Sequence, residues 1–476
     1  MEPESFALVN ERLVADSYCL RRASHPPALK QPDPVLQPGQ AYGTVLHQPD
    51  GFWRMYYLKS AYGNDRYEYR EHLALSSDGI FWETPSLGLV EIDGSKNNNC
   101  VMAAHYRDRT RMDLTGATGP EGFCVRDAQQ DCLPHARSRY TCMYLARPTD
   151  RLGGICLAHS EDGLIWAGYP ENPLIPGWPD TQAVFFFDQR INKYVLYSRP
   201  TIHAGLAAHA NRKIARAESD DLIHWSTQEI VLDTDERDAP ALEPAEENTP
   251  KQPRGRSKQF YGITVFPYAN LYLGLAWLYD VPKGAISVEL VRSTDGIRWQ
   301  REATREPFIA DGVPAGLSAN MVITPANAPI IVGDELWLYC SVTNRRHGEK
   351  CTTQTPRNIR IMLLALPRDR WVSYDAGERE GELLSQAFQW DGGRLFLNAS
   401  IREGGQIIVR FCDELGQMLR GLGLDEPVPL HGPAEGLRLP IRSGPGPISV
   451  LKMPSRGPIR LHFTMRNASL FGWTLA

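Results

Sequence analysis

Short runs in which apolar and polar positions alternate, many of them aromatic or β-branched, recur along almost the whole chain and are broken by Gly, Pro, Asn and Asp. A period of two bounded by such breakers predicts strands joined by turns. Residues 41–46 read as a strand, Pro49, Asp50 and Gly51 as a turn, and the aromatic run 52–58 as a second strand. Residues 71–75 make a third strand and 81–84 a fourth. The same order returns at 184–187, 193–198, 214–218 and 224–226. It returns again at 261–266, 272–279, 287–292 and 298–301, and once more at 321–324, 335–342, 359–366 and 371–372. A further unit lies between the first and second of these, with its inner strand at 100–104 and an insertion through 105–138. Residues 1–38 read as an irregular lead-in, and 235–258 as a long acidic, then basic, loop.

Each unit carries one phrase: Ser, any residue, Asp, usually Gly, two residues, Trp. It stands at Ser76-Ser77-Asp78-Gly79-Ile80-Phe81-Trp82, at Ser160 to Trp166, at Ser219 to Trp225 with Leu222 in the Gly place, and at Ser293 to Trp299. A worn copy ends at Trp371. Asp-Gly supplies a side-chain acceptor and a residue that tolerates positive φ, so the phrase predicts a tight reversal. The Ser hydroxyl and Asp carboxylate can hold backbone amides there, and the Trp is an apolar plug. Asp78, Asp162, Asp221 and Asp295 are therefore assigned to turns, not to chemistry.

Five four-stranded units predict an all-β, five-bladed β-propeller over residues 1–373, in which radial repetition protects the sheet edges. The phrase stops near residue 374. Strands at 386–390, 394–399, 406–412, 448–453 and 458–465, closed by 468–476, predict a C-terminal β-sandwich over 374–476.

Composition narrows the function classes. At 476 residues, 42% of them hydrophobic, the chain can bury two cores. A net charge of −5 argues against nucleic acid as a partner. The acidic first residues do not form a signal peptide, and no apolar run is long enough to span a bilayer. Nine Cys without a C-x-x-C pair predict reduced thiols in the cytoplasm, although a disulfide among Cys124, Cys132, Cys142 and Cys156 stays open. No nucleotide, metalloprotease or nucleophile-elbow motif is present, and no cofactor or metal ligand set can be read. Nothing sets the oligomeric state.

The phrase, the order of the units and the terminal strands resemble the five-bladed propeller glycosidases of glycoside hydrolase families 32, 43 and 68. The stretch from Ser76 through Asp93-Gly94-Ser95-Lys96-Asn97-Asn98-Asn99 resembles bacterial family-32-like proteins, as do Lys193 to Pro200 and Arg460-Leu461-His462-Phe463. The resemblance implies a small saccharide or glycoside as ligand and a carboxylate pair facing the channel. The blade-one Asp phrase of family 32 has no counterpart; residues 33–42 stand in its place.

The candidates follow from inner-strand positions. Asp180 precedes a predicted inner strand and stands beside Trp178, a platform for a sugar face. Asp238 and Glu243, in the long loop, are placed to swing over the channel as a general acid. Arg199 and His203 follow a second strand, and Arg345 and His347 end another. Tyr42, Tyr261 and Asn320 begin inner strands. Three readings remain: a glycosidase, a propeller that binds carbohydrate without cleaving it, and a protein-interaction platform.

Overall fold

A computed structural model describes residues 4–63, 66–103, 120–146, 153–177, 179–200, 212–238, 257–312, 320–349, 358–390, 394–419, 427–441 and 458–476. The chain is all-β: a ring of five antiparallel blades followed by a curled β-sandwich. Among the described residues no helix is long and apolar enough to cross a membrane.

Blade 1 is Gln40–His47, Trp53–Gly63, Arg66–Ser76 and Cys100–Ala103, from the axis outward. Blade 2 is Glu121–Asp127, Tyr140–Ala146 and Gly154–Ser160, edged by Ala167–Gly168 and Ile175–Pro176. Blade 3 is Val184–Asp188, Lys193–Ser198, Ile214–Ser219 and Glu229–Leu232. Blade 4 is Lys258–Tyr268, Leu271–Asp280, Ala285–Ser293 and Trp299–Arg301. Blade 5 is Met321–Ile323, Glu335–Thr343 and Ile359–Pro367, and its outermost strand is Ala28–Leu29, pairing with Leu364 and Ala365. An N-terminal segment thus completes the last blade.

The ring closes because both faces of each blade are apolar. Separate buried clusters fill the spaces between successive blades: Tyr56, Phe123 and Trp166 between blades 1 and 2, Met143, Phe185 and Tyr194 between 2 and 3. Tyr197, Ile263 and Tyr272 fill the next space, Trp277, Val322 and Leu338 the fourth, and Trp53 and Trp337 the last, with ring centroids 5.7 Å apart. Burying each such aromatic contributes roughly 2–3 kcal/mol. Hydrogen bonds run around the axis as well. Thr44 donates to the Phe123 carbonyl at 2.6 Å, and the Ala326 amide to the Gly43 carbonyl at 2.8 Å.

The repeated phrase is a turn, as its residues predict. The Ser160 hydroxyl accepts from the Gly163 amide at 2.9 Å, and Asp162 accepts from the Leu164 and Ile165 amides at 2.8 and 2.9 Å. It is also a docking point between blades. The Tyr56 hydroxyl of blade 1 donates to the Gly163 carbonyl at 2.9 Å, and a Cβ on Gly163 would lie 2.4 Å from that hydroxyl. Tyr339 meets Gly79, and Tyr197 meets Gly296, in the same way. Glycine is required there by its φ near +70° and by the approaching phenol. In the third copy Leu222 takes φ 71° and is fully buried between blades 2 and 3.

Several boundaries differ from the sequence reading. Cys100–Ala103 is the outer strand of blade 1, and the inner strand of blade 2 is Glu121–Asp127, inside the stretch assigned to an insertion. Residues 81–84 and 224–226 make only isolated bridges, at Glu83 and Trp225. The lead-in is not irregular. Glu4–Ala7 pairs with the C-terminal strand Ile459–Leu475, Val14–Tyr18 with Gly381–Ser385, and Arg21–Ser24 with Val372–Ala376. The 373/374 division falls inside the last of these strands. The expected strands 394–399 and 406–412 are one bent strand, Leu395–Asp413, and 458–465 and 468–476 likewise lie along Ile459–Leu475. Residues 386–390 form no strand beyond a bridge at Phe388, and 448–453 lie outside the described residues. All eight described cysteines, Cys124, Cys132, Cys142 and Cys156 among them, are free thiols.

Candidate active site at one mouth of the channel

The innermost strands of the five blades begin at one mouth of the axis. A strand start is where side chains leave the ladder and face the channel, and this ring brings Tyr42, Glu121, Asp180, Gln259, Tyr261 and Asn320 to one end of the propeller. Blades 2 and 3 approach most closely here: a Cβ on Gly122 would lie 3.0 Å from Gln182 Cα, so only glycine fits beside Glu121.

Arg199, at the end of the second strand of blade 3, is the centre of the cluster. It is 2% exposed. Its Nη1 donates to Asp180 Oδ2 at 3.1 Å and its Nε to the Tyr261 carbonyl at 2.8 Å. Its Nη2 is buried without a hydrogen-bond partner. The guanidinium lies 4.2 Å from the centre of the Tyr261 ring, and Arg212 approaches the same ring at 5.4 Å. Burial pulls the Arg199 guanidinium down, but Asp180 and the flanking phenols win and hold it above its usual value. Arg212 goes the other way, lowered by burial and by the Arg199 charge; its Nη1 donates to Gln259 Oε1 at 3.0 Å. Asp180 itself sits at φ 52°, a left-handed conformation that an L-residue adopts at a cost and Asp tolerates better than most.

The phenols are donors. Burial raises Tyr42, Tyr261 and Tyr279 above their ordinary value, so all three keep their protons at neutral pH. The Tyr261 hydroxyl and His347 Nε2 are 3.1 Å apart, and the His347 ring packs on Tyr279 with centroids 4.8 Å apart. The turn that carries His347 is held to blade 4 by its amide, which donates to the Gly284 carbonyl at 2.7 Å.

Two further carboxyl groups lie at this mouth, and the sequence reading missed both. Glu121 opens the inner strand of blade 2 and its charge reaches Tyr42 and Tyr261. Glu71, in the third strand of blade 1, is fully buried and accepts from the Gly122 amide at 3.0 Å. Burial raises it well above the carboxylate range, and the neighbouring Glu121 charge adds to that, against the Gly122 and Phe123 amides, which lower it. Gln182, with both ends of its amide buried and unbonded, completes the wall. Buried polar atoms in native proteins are nearly always satisfied; at this mouth Glu71 Oε2, Arg199 Nη2 and the Gln182 amide are not. Among the described residues no three His, Cys, Asp or Glu side chains could share a metal ion.

No protein-family model matches the chain, and no curated protein matches its sequence. Solved structures are similar to it. An N-acetylgalactosamine deacetylase from F. plautii, in complex with blood group B trisaccharide, is 14% identical with a TM-score of 0.45, over 74% of this chain and 96% of that one. A thermostable family-43 glycoside hydrolase is 14% identical with a TM-score of 0.44, over 73% and 96%. An exo-inulinase from Aspergillus awamori is 11% identical with a TM-score of 0.43, over 95% and 98%.

Of the residues singled out from the sequence, Asp180, Arg199, Tyr42, Tyr261 and His347 come together. Asn320 stands at its strand start, its amide bonded to the Thr343 carbonyl at 2.9 Å. Arg345 turns back to Glu349 in its own loop, with Nη1 2.5 Å from Oε1. Trp178, His203 and Glu243 lie outside the described residues. Asp238 is a correction. It is buried on the turn Glu236–Asp238 against the outer strands of blade 4, where Arg301 bonds both it and Glu289, and Arg305 stands near. Burial would raise its carboxyl, but the Arg301 hydrogen bonds, the Asp235 amide and both guanidinium charges outweigh that and lower it. An acid so held keeps its charge, the reverse of what a general acid needs.

Arg212, Gln259 and Tyr279 were also unmarked in the sequence. The signal for Gln259 and Glu121 was position alone: Glu121 is the first residue of an inner strand and Gln259 the second.

Proposed function

We propose that this chain is a glycoside hydrolase acting on a short saccharide or glycoside, with Asp180 and Glu121 as its two carboxylates. One observation supports the reading: Asp180, bonded to buried Arg199, and Glu121, which opens the inner strand of blade 2, stand at the same mouth as Tyr261. Glycoside hydrolysis needs such a pair flanking the scissile bond. Asp180, ion-paired with Arg199, is suited to face the positive charge that develops at the anomeric carbon. Glu121, the second carboxyl at the mouth, is assigned the proton transfer to the leaving oxygen. Tyr261, His347 and Asn320 supply donors and acceptors for sugar hydroxyls. The eight described cysteines are free thiols, which supports a reducing, cytoplasmic setting.

A panel of nitrophenyl glycosides and oligosaccharides, run with the wild type, Asp180→Asn and Glu121→Gln, tests the proposal. Turnover by the wild type and a loss of about 10²–10⁴-fold in kcat for each variant are expected. Absence of turnover on every substrate, or variants as active as wild type, overturns it.

Gln259 favours a second reading. It puts a carboxamide at the start of the blade 4 inner strand and binds Arg212, a pattern suited to holding a sugar without cleaving it. Calorimetric binding of saccharides with no turnover selects that reading.

A further inference from the structure

The inner strands of blades 2 to 4 end at the opposite mouth of the axis, and there the described residues line an open cavity of about 520 Å³. Its floor is Arg126, 8% exposed. Arg126 crosses the axis: Nε donates to the Phe185 carbonyl of blade 3 at 2.7 Å, and Nη2 to the Ala326 carbonyl next to blade 5 at 3.2 Å. Nη1 makes no hydrogen bond among the described residues. Beside it stands Asp131, at the end of the single helical turn Ala128–Asp131. The facing wall is largely apolar: Phe187, Pro267, Tyr268, Ala269 and Ala328 are open to it, with Phe186, Val265, Phe266 and Leu271 buried behind. Gln130, Gln189 and Asn270 also line it, and Gln130 Nε2 donates to the His47 carbonyl at 2.8 Å.

Charge and bonding decide what such a cavity takes. Two guanidiniums, Arg126 and Arg190, are matched by two carboxyls, Asp131 and Asp188. Asp188 is already committed: it accepts from the Arg190 amide at 3.1 Å and from the Tyr272 hydroxyl. That leaves one guanidinium donor next to one carboxyl acceptor on the floor. An anion would face Asp131 and a cation would face Arg126, so neither gains. A ring bearing adjacent hydroxyls satisfies both at once, donating to Asp131 and accepting from Arg126, while its C–H face covers the aromatic wall. The volume lies within the range of small-ligand sites, roughly 300–1,000 Å³. We propose that this cavity binds a neutral mono- or disaccharide, at a site separate from the mouth where Asp180 lies.

The test is independent of turnover. Glucose, galactose, maltose and sucrose, with glucuronate and glucosamine as charged counterparts, are titrated by calorimetry and ligand-observed NMR. The proteins are the full chain, Asp131→Ala, Ala328→Trp and the double variant Asp180→Asn/Glu121→Gln. Ala328→Trp fills the cavity and removes no hydrogen bond, so it serves even where Asp131→Ala fails to fold. Saturable binding of a neutral sugar is expected and is kept in the double variant; Asp131→Ala weakens it about 10-fold or more, and Ala328→Trp removes it from this cavity, leaving only what the Asp180 mouth binds. Binding that vanishes in the double variant, that survives Ala328→Trp unchanged, or that favours glucuronate or glucosamine overturns the proposal. So does an absence of binding by any of the neutral sugars. A failed glycosidase assay with this binding intact counts against the hydrolase reading alone.

Discussion

Arg199 and Asp180 form an ion pair in which one partner is buried and the other is not: Arg199 is almost wholly enclosed, while a third of the Asp180 side chain stays open, with 3.1 Å between them. The enclosed partner also holds the Tyr261 carbonyl of blade 4. Removing the guanidinium therefore loosens two blades and frees a carboxylate. Loss of one partner from a fully buried pair costs about 3–5 kcal/mol. Here the open side of Asp180 can hydrate, so Arg199→Met is expected to cost less, on the order of 2 kcal/mol. Arg199→Lys keeps the charge but not the fork, and is expected to lose activity more than stability. Urea melts set beside turnover rates check this; a kcat for Arg199→Lys equal to wild type would show that Asp180 needs no orientation.

Asp238 makes the opposite prediction from the one its loop position suggested. Its carboxyl is lowered, chiefly by Arg301 acting against burial, so its contribution to stability is present above the unfolded value near 4 and is lost as pH falls below it. Asp238→Asn is expected to cost about 2–4 kcal/mol at pH 7, with a gap to wild type that closes as the pH is taken below about 4. Its kcat should be unchanged. Thermal melts from pH 7 to pH 3, with one assay at neutral pH, decide it.

What the sequence disclosed, and what it hid, follows from how local each signal is. The Ser-x-Asp-Gly-x-x-Trp turns are written in seven consecutive residues and their geometry is the one their chemistry demands, with Asp162 collecting two amides and Gly163 at φ 72°. Blades with a clear turn and alternating strands were therefore countable. Outer strands were not: Ala28–Leu29 belongs to blade 5 only through pairing with residues more than three hundred positions away, and no local pattern announces that. The same holds for Glu4–Ala7 against Ile459–Leu475. Blade 2 was misread because its inner strand begins at Glu121 with no phrase before it, and that misreading concealed a carboxylate at the mouth. Asp180 was legible because it stands just before the strong run Val184–Asp188. Glu71 was not, because a charged residue in a third strand reads as an outward one.

His72 and Glu71 are neighbours in one strand, both buried, with opposite pH signatures. Burial pushes His72 down to about 3. A depressed His gives stability that is present above its unfolded value near 6.5 and is lost as pH falls toward 3. Replacing it by Gln is expected to flatten the fall of stability between pH 6.5 and 4, where the wild type loses on the order of 3 kcal/mol from this group. Chemical denaturation at a series of pH values reads the slope directly, and parallel curves for the two proteins would show that the imidazole is solvated.

Glu71 runs the other way. Its carboxyl is raised by burial and by Glu121, so the stability it gives is present below the unfolded value near 4.3 and is lost as pH rises. As pH rises above the unfolded value, the unfolded chain releases this proton more readily than the folded protein does. Glu71→Gln keeps the shape and an acceptor for the Gly122 amide without that titration. The variant is expected to be more stable than wild type at pH 7, and the advantage should shrink to nothing near pH 4. If Glu71 also sets the proton affinity of Glu121, the same variant shifts the acidic or basic limb of the pH–rate profile. If the residue only fills space, the melts change with pH while the profile stays where it was. A Glu71→Gln protein less stable than wild type at pH 7 would mean that the carboxyl is ionised and bonded, and would remove the neutral acid from beside Glu121.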